Sequence, residues 1–352
     1  MAPPVIHVHS SSDKQTVGYI TYMWEAMRSL ANSPESLKLS IHCIGPTAVQ
    51  RLSSLPNART FYVPNAETEK GMSGSTAHSA CIEHALRLTD DGDIHLLVDS
   101  DTVVLARGWD DYVRLQLLDK KLGTVGTTYE DIGGFSSGGG QVQTYKGIPN
   151  VVWMALSPLC SWRDLRAMHK KGDNIHVSNE GLAKIYGLPV GMQVLRDVAW
   201  QIPSYLHDRN ISYAGWKQLK PSGEAVVLKG LNDYHEEYHV EGVPFVAHHR
   251  GSLRHAYRGD KMSIQFFQTI DAWIAEELKK EPRWRWEASA ANQDALAKIS
   301  VSAAEAADRI KQTVDEYVAQ TPELPPPPPP APAVPPAPAQ PPNIDGWLKA
   351  TI

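Results

Sequence analysis

The sequence predicts an α/β domain: a mostly parallel sheet flanked by helices, followed by a C-terminal helical extension and a proline-rich tail. Three observations predict it. Strand and helix patterns alternate through the first hundred residues, which is the signature of a parallel sheet wrapped by helices. With 42% hydrophobic residues in 352, the chain is long and apolar enough to bury a large core. The most apolar strand of the first hundred residues runs into two carboxylates, at the kind of strand end where open α/β sheets hold ligands.

The elements follow in order. VIHVH (5–9) is a buried strand, and the next segment is a polar loop leading into a helix with Ile20, Met23, Ala26, Met27 and Leu30 at helical spacing. LKLSIHCIG (37–45) alternates like a second strand, AVQRLSSL (48–55) is a short helix, and ARTFYVP (58–64) is a third strand. A Gly/Ser-rich turn, the helix TAHSACIEHALRLT (76–89) and the strand IHLLVD (94–99) complete the alternation. From 109 to about 275 the pattern is mixed: a helix over 109–119, a strand over 123–129, a Gly-rich loop at 133–140 and an apolar strand over 150–158. Helices near 161–170 and from Arg196 and a strand ending at His248 and His249 follow. Trp284 to Gln320 is Ala-rich and helix-forming. The segment 322–342 is polyproline II or disordered, reaching roughly 60 Å at about 3.1 Å per residue.

Charge and cysteine content narrow the class. A net charge of −5 offers no global basic field, so a polyanion would need a local patch. Cys43, Cys81 and Cys160 are few, spaced widely and set among apolar residues, which predicts reduced thiols in a core. MAPPVIHVHS has neither the charged nor the apolar region of a signal peptide, and no stretch approaches the ~20 apolar residues of a spanning helix. A cytoplasmic location is the expectation.

Asp99 and Asp101, with only Ser100 between them, put two hard oxygen ligands near one point. Mg²⁺ and Mn²⁺ prefer such ligands and keep positions for water and phosphate. Further features agree. EKGMSGSTAHSACIEHAL (69–86) opens a helix from a loop containing Gly71 and Ser73, where backbone and helix N-terminus can approach a negative group. His9, Ser10 and Ser11 follow the first strand, at the edge where a base and ribose would be held. Asp197 opens a helix with Val198, Trp200, Ile202 and Leu206 on its inner face, and is a candidate general base. His248 or His249 is a candidate third metal ligand, and Arg250, Arg254 and Arg258 are candidate phosphate clamps.

This set resembles the type-A nucleotide-sugar glycosyltransferases over roughly 3–260. LLVDSDTVVLARGWDD carries the most specific likeness, because that family often has Asp-x-Asp, apolar residues and then Gly-Trp before the next helix. SGSTAHSACIEHAL resembles the family's Gly/Ser loop and helix, with His78 standing where many members have Arg followed by Asn. The resemblance implies the GT-A fold and a metal-dependent transfer of sugar from a nucleotide diphosphate-sugar, UDP-sugar favoured, to a hydroxyl. It implies Mn²⁺ or Mg²⁺ as cofactor, Asp101 and His248 or His249 as metal ligands, and Asp99 on the ribose or sugar as well as the metal. Asp197 would deprotonate the acceptor; Arg196 leaves it the one carboxylate of the usual acidic pair. His9, Ser10, Ser11, Gly71, Ser73, His78, Asp99 and Arg250 would hold the donor. The implied organisation is a catalytic domain over 1–275, with a nucleotide-binding half (1–108) and an acceptor half (109–275). A helical extension (276–320), a Pro-rich linker (321–342) that is a candidate protein-binding arm, and a tail peptide (343–352) follow it.

The segments 130–158 and 230–239 are also similar in style to glycosyltransferases of large tailed bacteriophages. That likeness makes a hydroxymethylated pyrimidine in DNA a candidate acceptor beside a glycan, with the basic run Arg250 to Lys261 and WRW at 284–286 as the elements to meet the phosphate backbone or stack a base and the host cytoplasm as the place. Two other functions compete. A sugar nucleotidyltransferase would show a Gly-rich, Arg/Lys-bearing signature after the first strand, which HSSSDKQTVGY does not. A non-catalytic binding module would not need Asp99, Asp101, Asp197 and the histidines together.

Overall fold

The computed structural model describes residues 3–63, 74–88, 93–128, 149–160, 176–178, 193–195, 202, 205–206, 209–219, 228, 235–249 and 261–287. Strands β1 (Ile6–Ser12), β2 (Leu37–Cys43), β3 (Ala58–Tyr62) and β4 (Ile94–Val98) alternate with helices α1 (Val17–Leu30), α2 (Pro46–Leu52) and α3 (Gly74–Leu88). β1 pairs in parallel with β2 and β4, and β2 with β3, as the alternation predicts. α1 forms because Ile20, Met23, Trp24, Met27 and Leu30 recur on one face and are all buried. Its entry is held by Asp13, whose Oδ1 accepts the backbone N–H groups of Gln15 and Thr16 at 2.8 and 2.9 Å.

Beyond β4 come β5 (Thr102–Val104), α4 (Trp109–Arg114), β6 (Thr124–Thr128), β7 (Pro149–Leu156), β8 (His176–Ser178) and β9 (Gln193–Leu195). The order continues with β10 (Tyr213–Leu219), β11 (His235–Val240), β12 (Val243–His249) and α5 (Lys261–Glu277). Ten strands share one sheet in the order β3-β2-β1-β4-β7-β6-β10-β11-β12-β5. Here the structure differs from the expected mostly parallel sheet. β7 runs antiparallel to both β4 and β6, and β10, β11, β12 and β5 are antiparallel in turn. Only β6 with β10 is a parallel pair in this half, so the sheet is mixed.

The order has a geometric consequence. β4 and β5 are six strand steps apart in the sheet, roughly 29 Å if flat at about 4.8 Å per step. The three residues between Val98 and Thr102 reach at most about 14 Å. The ladder from β4 to β5 therefore curls until its last strand returns beside the end of β4. Trp109, Trp153, Trp216 and Phe245 are buried together in the main core, with Trp153 and Trp216 rings 4.6 Å apart.

Several expectations about local elements change. The helix expected over 109–119 is α-helical for Trp109–Arg114 and widens to a π-helical turn over Leu115–Asp119. A helix lies at Lys261–Glu277, ahead of most of the expected extension, and residues 281–287 are not helical. Trp284, expected to be available for a base, packs against Tyr112 and Phe245 at 5.0 and 5.5 Å between ring centroids. Its backbone O accepts the Asn32 side-chain N–H at 2.9 Å. The loop 133–140, residues 288–320 and the proline-rich segment lie outside the described residues. All three cysteines are buried and free, as expected.

The two faces of the parallel half differ in chemistry. Ile6, Val8, Leu39, Ile41, Leu96 and Val98 fill the main core with α1. The alternate residues on the other face include His9, His42 and His95. His95 Nδ1 lies 3.2 Å from His9 Nε2, His9 Nδ1 lies 3.3 Å from His42 Nε2, and His42 Nδ1 lies 3.0 Å from His84 Nδ1 on α3. Each neutral ring has one donor and one acceptor nitrogen, so the row is satisfied when every ring donates in the same direction. An added proton puts two N–H groups face to face. Burial, then the neighbouring imidazoles, hold the His9 pKa well below the usual 6.5 and lower that of His42 to about 3. Above pH 6.5 both folded and unfolded chains carry these rings neutral; below it the unfolded chain takes up protons that the folded chain refuses. Folding stability is therefore expected to fall as pH drops from 6.5 toward 3, by up to about 1.4 kcal/mol per pH unit for each ring. Urea unfolding across that range, compared with His42→Gln, measures it; equal slopes in the two proteins would show that the row does not titrate this way.

Candidate active site

β4 delivers the aspartates. Its five residues are all buried, and the chain then turns sharply: Thr102 N–H donates to Asp99 O at 3.2 Å, while Asp99 N–H donates to Val152 O at 3.1 Å. Asp99 and Asp101 thus sit on one turn between β4 and β5, both partly exposed. Thr102 anchors the far side through its hydroxyl, which donates to Val152 O at 3.2 Å.

The third residue comes from β12, far along the chain from the aspartates. β12 lies antiparallel to β5 with His248 opposite Thr102, and His249 N–H donates to Asp101 O at 3.0 Å. This pairing places His248 Nε2 3.5 Å from Asp101 Oδ1. One ligand atom each from Asp99, Asp101 and His248 lie within 4.8 Å of one another, a group that can hold a metal ion. Two hard carboxylate oxygens with one imidazole suit Mn²⁺ or Mg²⁺. His249 does not join them. Neighbouring residues of a strand point to opposite faces, and the His249 ring stacks on Phe266 at 4.8 Å between centroids. Of the two candidate histidines, His248 is the one the structure brings to the aspartates.

Burial disfavours a charged His248 ring, but Asp101 and then Glu236 more than reverse this, pushing its pKa up to about 10. A cation held at Nε2 would take the place of that proton. Glu236, on β11 directly opposite His248, has its Oε2 3.1 Å from His248 Nδ1. Sequence reasoning missed it. The available signal was the alternation in HEEYH, which puts Glu236 and Tyr238 on one face of a strand and His235, Glu237 and His239 on the other.

Beside the aspartates, α3 covers the carboxyl halves of β1, β2 and β4 and leaves a crevice lined by Ser10, Ser11, His42, His78, Leu97 and Val98. His78 Nε2 is 3.4 Å from Asp99 Oδ1, so the α3 histidine links the crevice to the aspartates. His9 also lines the crevice, yet both its nitrogens face His42 and His95, and it offers a ligand only its ring. Ser10 is 3% exposed and its Oγ has no hydrogen-bond partner among the described residues; Ser11 is partly exposed. Gly71, Ser73, Asp197 and Arg250 lie outside the described residues.

No protein-family model and no curated protein matches the chain. Among solved structures, it is similar to the mannosyltransferase PcManGT from Pyrobaculum calidifontis in complex with GDP-Man and Mn²⁺, at 15% identity over 90% of this chain and 80% of that one, with a TM-score of 0.37. It is also similar to the galactosyltransferase LgtC in complex with donor and acceptor sugar analogs, at 13% identity over 59% of this chain and 73% of that one, TM-score 0.32. A third likeness is to glucosyl-3-phosphoglycerate synthase of M. tuberculosis, at 17% identity over 37% of this chain and 47% of that one, TM-score 0.27.

Proposed function

We propose that this chain is a cation-dependent glycosyltransferase that moves a sugar from a nucleotide diphosphate-sugar to an acceptor hydroxyl. The observation that carries the proposal is the meeting of Asp99, Asp101 and His248 beside a crevice at the carboxyl ends of parallel strands. A Mn²⁺ or Mg²⁺ ion held there would offset the negative charge that grows on a departing nucleoside diphosphate. Ser11 and His78, at the crevice beside α3, would supply polar contacts to the donor, with Asp99 shared between ribose and cation.

Asp197 is assigned the acceptor's proton from its place in the sequence. Asp197→Asn is expected to leave donor affinity within about threefold and to slow transfer by 10²–10⁴-fold, the usual worth of a general base; transfer at the wild-type rate would remove the assignment. A glycan hydroxyl is the acceptor we favour over a hydroxymethylated pyrimidine in DNA. Trp284 is partly buried and packed against the core, and the cations near it are paired within the chain, Arg283 with Glu277 and Arg285 with Glu281.

Calorimetric titration of UDP, GDP and their sugar conjugates, in Mn²⁺ and then in EDTA, tests the proposal. The expected result is tight binding of one nucleotide, UDP first, that vanishes in EDTA. Binding of none overturns the glycosyltransferase reading, and cation-dependent binding without transfer to any hydroxyl acceptor or to water converts it to a binding module.

A further inference from the structure

We propose that Glu236 is a positioning residue for the Asp99–Asp101–His248 centre, holding His248 in the one tautomer and orientation that presents Nε2 to a cation. This rests on the reading of that centre as a cation site. An imidazole ligates through a nitrogen that carries no proton, and the partner on its other nitrogen decides which one that is. In this chain the partner is a carboxylate: Glu236 Oε2 lies 3.1 Å from Nδ1, while Nε2 faces Asp101 Oδ1 at 3.5 Å. Glu236 therefore accepts the hydrogen bond from Nδ1–H, which keeps the ring proton on Nδ1 and leaves Nε2 for the metal. Its carboxylate faces the ring nitrogen opposite the aspartates, so it acts through His248 and is not itself among the ligands.

The support extends one strand further. Tyr238 hydroxyl donates to Glu236 Oε2 at 3.1 Å, and Gln218 Nε2 donates to that hydroxyl at 3.3 Å. Because the tyrosine oxygen accepts from Gln218, its own proton is directed at Glu236. The four side chains Gln218, Tyr238, Glu236 and His248 stand on β10, β11 and β12, which are neighbours in the sheet, and their cross-strand register pairs Gln218 with Tyr238 and Glu236 with His248. Glu236 is 3% and Gln218 6% exposed. A carboxylate at that depth is costly unless it is hydrogen-bonded, and the imidazole and the phenol both meet its Oε2.

Mn²⁺ alone is the probe, with free ion followed by electron paramagnetic resonance in the full-length wild type, Glu236→Gln, Tyr238→Phe and Asp101→Ala. Glu236→Gln is expected to weaken Mn²⁺ binding by about 10–100-fold with an unchanged circular dichroism spectrum, and Tyr238→Phe to weaken it by less. A residue that only supports the fold would lower the melting temperature and leave the affinity alone. Unchanged Mn²⁺ affinity in Glu236→Gln, with affinity lost in Asp101→Ala, overturns the role of Glu236 and leaves the cation centre standing. Should Glu236→Gln fail to fold, Tyr238→Phe decides, and unchanged affinity there overturns the role. A wild type that binds no Mn²⁺ overturns the centre and this proposal together.

Discussion

Asp101→Ala is expected to abolish cation-dependent nucleotide binding and to leave the fold intact. The side chain supplies one of two carboxylates in a set of three ligand residues, and loss of a ligand outweighs the 10–100-fold that loss of a supporting contact costs. Mn²⁺ affinity should fall by more than about 100-fold on that basis, and transfer by about 10³-fold or more, the scale for removing a preorganised electrostatic contact. The fold survives because Asp101 holds the sheet through its backbone: its carbonyl accepts the His249 N–H, which alanine preserves. Asp101→Asn separates charge from shape and should lose nearly as much, since an amide oxygen is the weaker ligand for a hard cation. Calorimetry with and without EDTA measures both variants. Wild-type affinity in Asp101→Ala would show that the turn after β4 is not the cation site.

The largest effect on stability is expected from Arg114→Ala. This arginine is fully buried and donates to Asp110 Oδ2 at 2.8 Å, Asp111 Oδ1 at 2.9 Å, Ser36 Oγ at 2.6 Å and Pro4 O at 3.2 Å. The same carboxylates receive Asn32 N–H at 2.8 Å, Ser33 N–H at 3.1 Å and the Asn32 side chain at 2.7 Å. One guanidinium thus ties α4 to the segments on either side of the first βα unit. Removing it leaves two carboxylates buried without their cation, which costs about 3–5 kcal/mol. Arg114→Lys does not rescue it, because an ammonium cannot reproduce the planar fork. By contrast the exposed Arg87–Glu83 pair on α3 is worth at most about 1 kcal/mol, so Arg87→Ala serves as the control. Equal urea midpoints for Arg114→Ala and Arg87→Ala would show that the buried cluster contributes nothing beyond a surface pair.

The neighbouring Gly108 shows how this node constrains the sequence. It sits at φ +79°, and a Cβ there would lie 2.9 Å from Trp284 O and 3.1 Å from Asn32 Nδ2. The Gly-Trp that follows the Asp-x-Asp segment is therefore structural here. Gly108 admits the strap from the C-terminal side, and the Trp109 Nε1–H caps α1 by donating to Met27 O at 2.9 Å.

By itself the sequence determined the first four strands, the three helices between them and the place of Asp99 and Asp101 at the end of a buried strand. Those features are local: the apolar period within each segment names the element, and the alternation names the parallel sheet. It could not determine β5, β10 or β11. TVV is too short to carry a period, and HEEYH is a buried strand whose polar side chains face one another across the sheet, so its hydropathy resembles a loop. Nor could it choose between His248 and His249, since that choice depends on the phase of β12 against β5, and a shift of one residue exchanges the two faces. The tertiary structure brought Asp99, Asp101 and His248 together because curling the sheet sets β12 against β5 and the turn that carries the aspartates. It supplied Glu236 for the same reason, as the residue opposite His248 on the next strand.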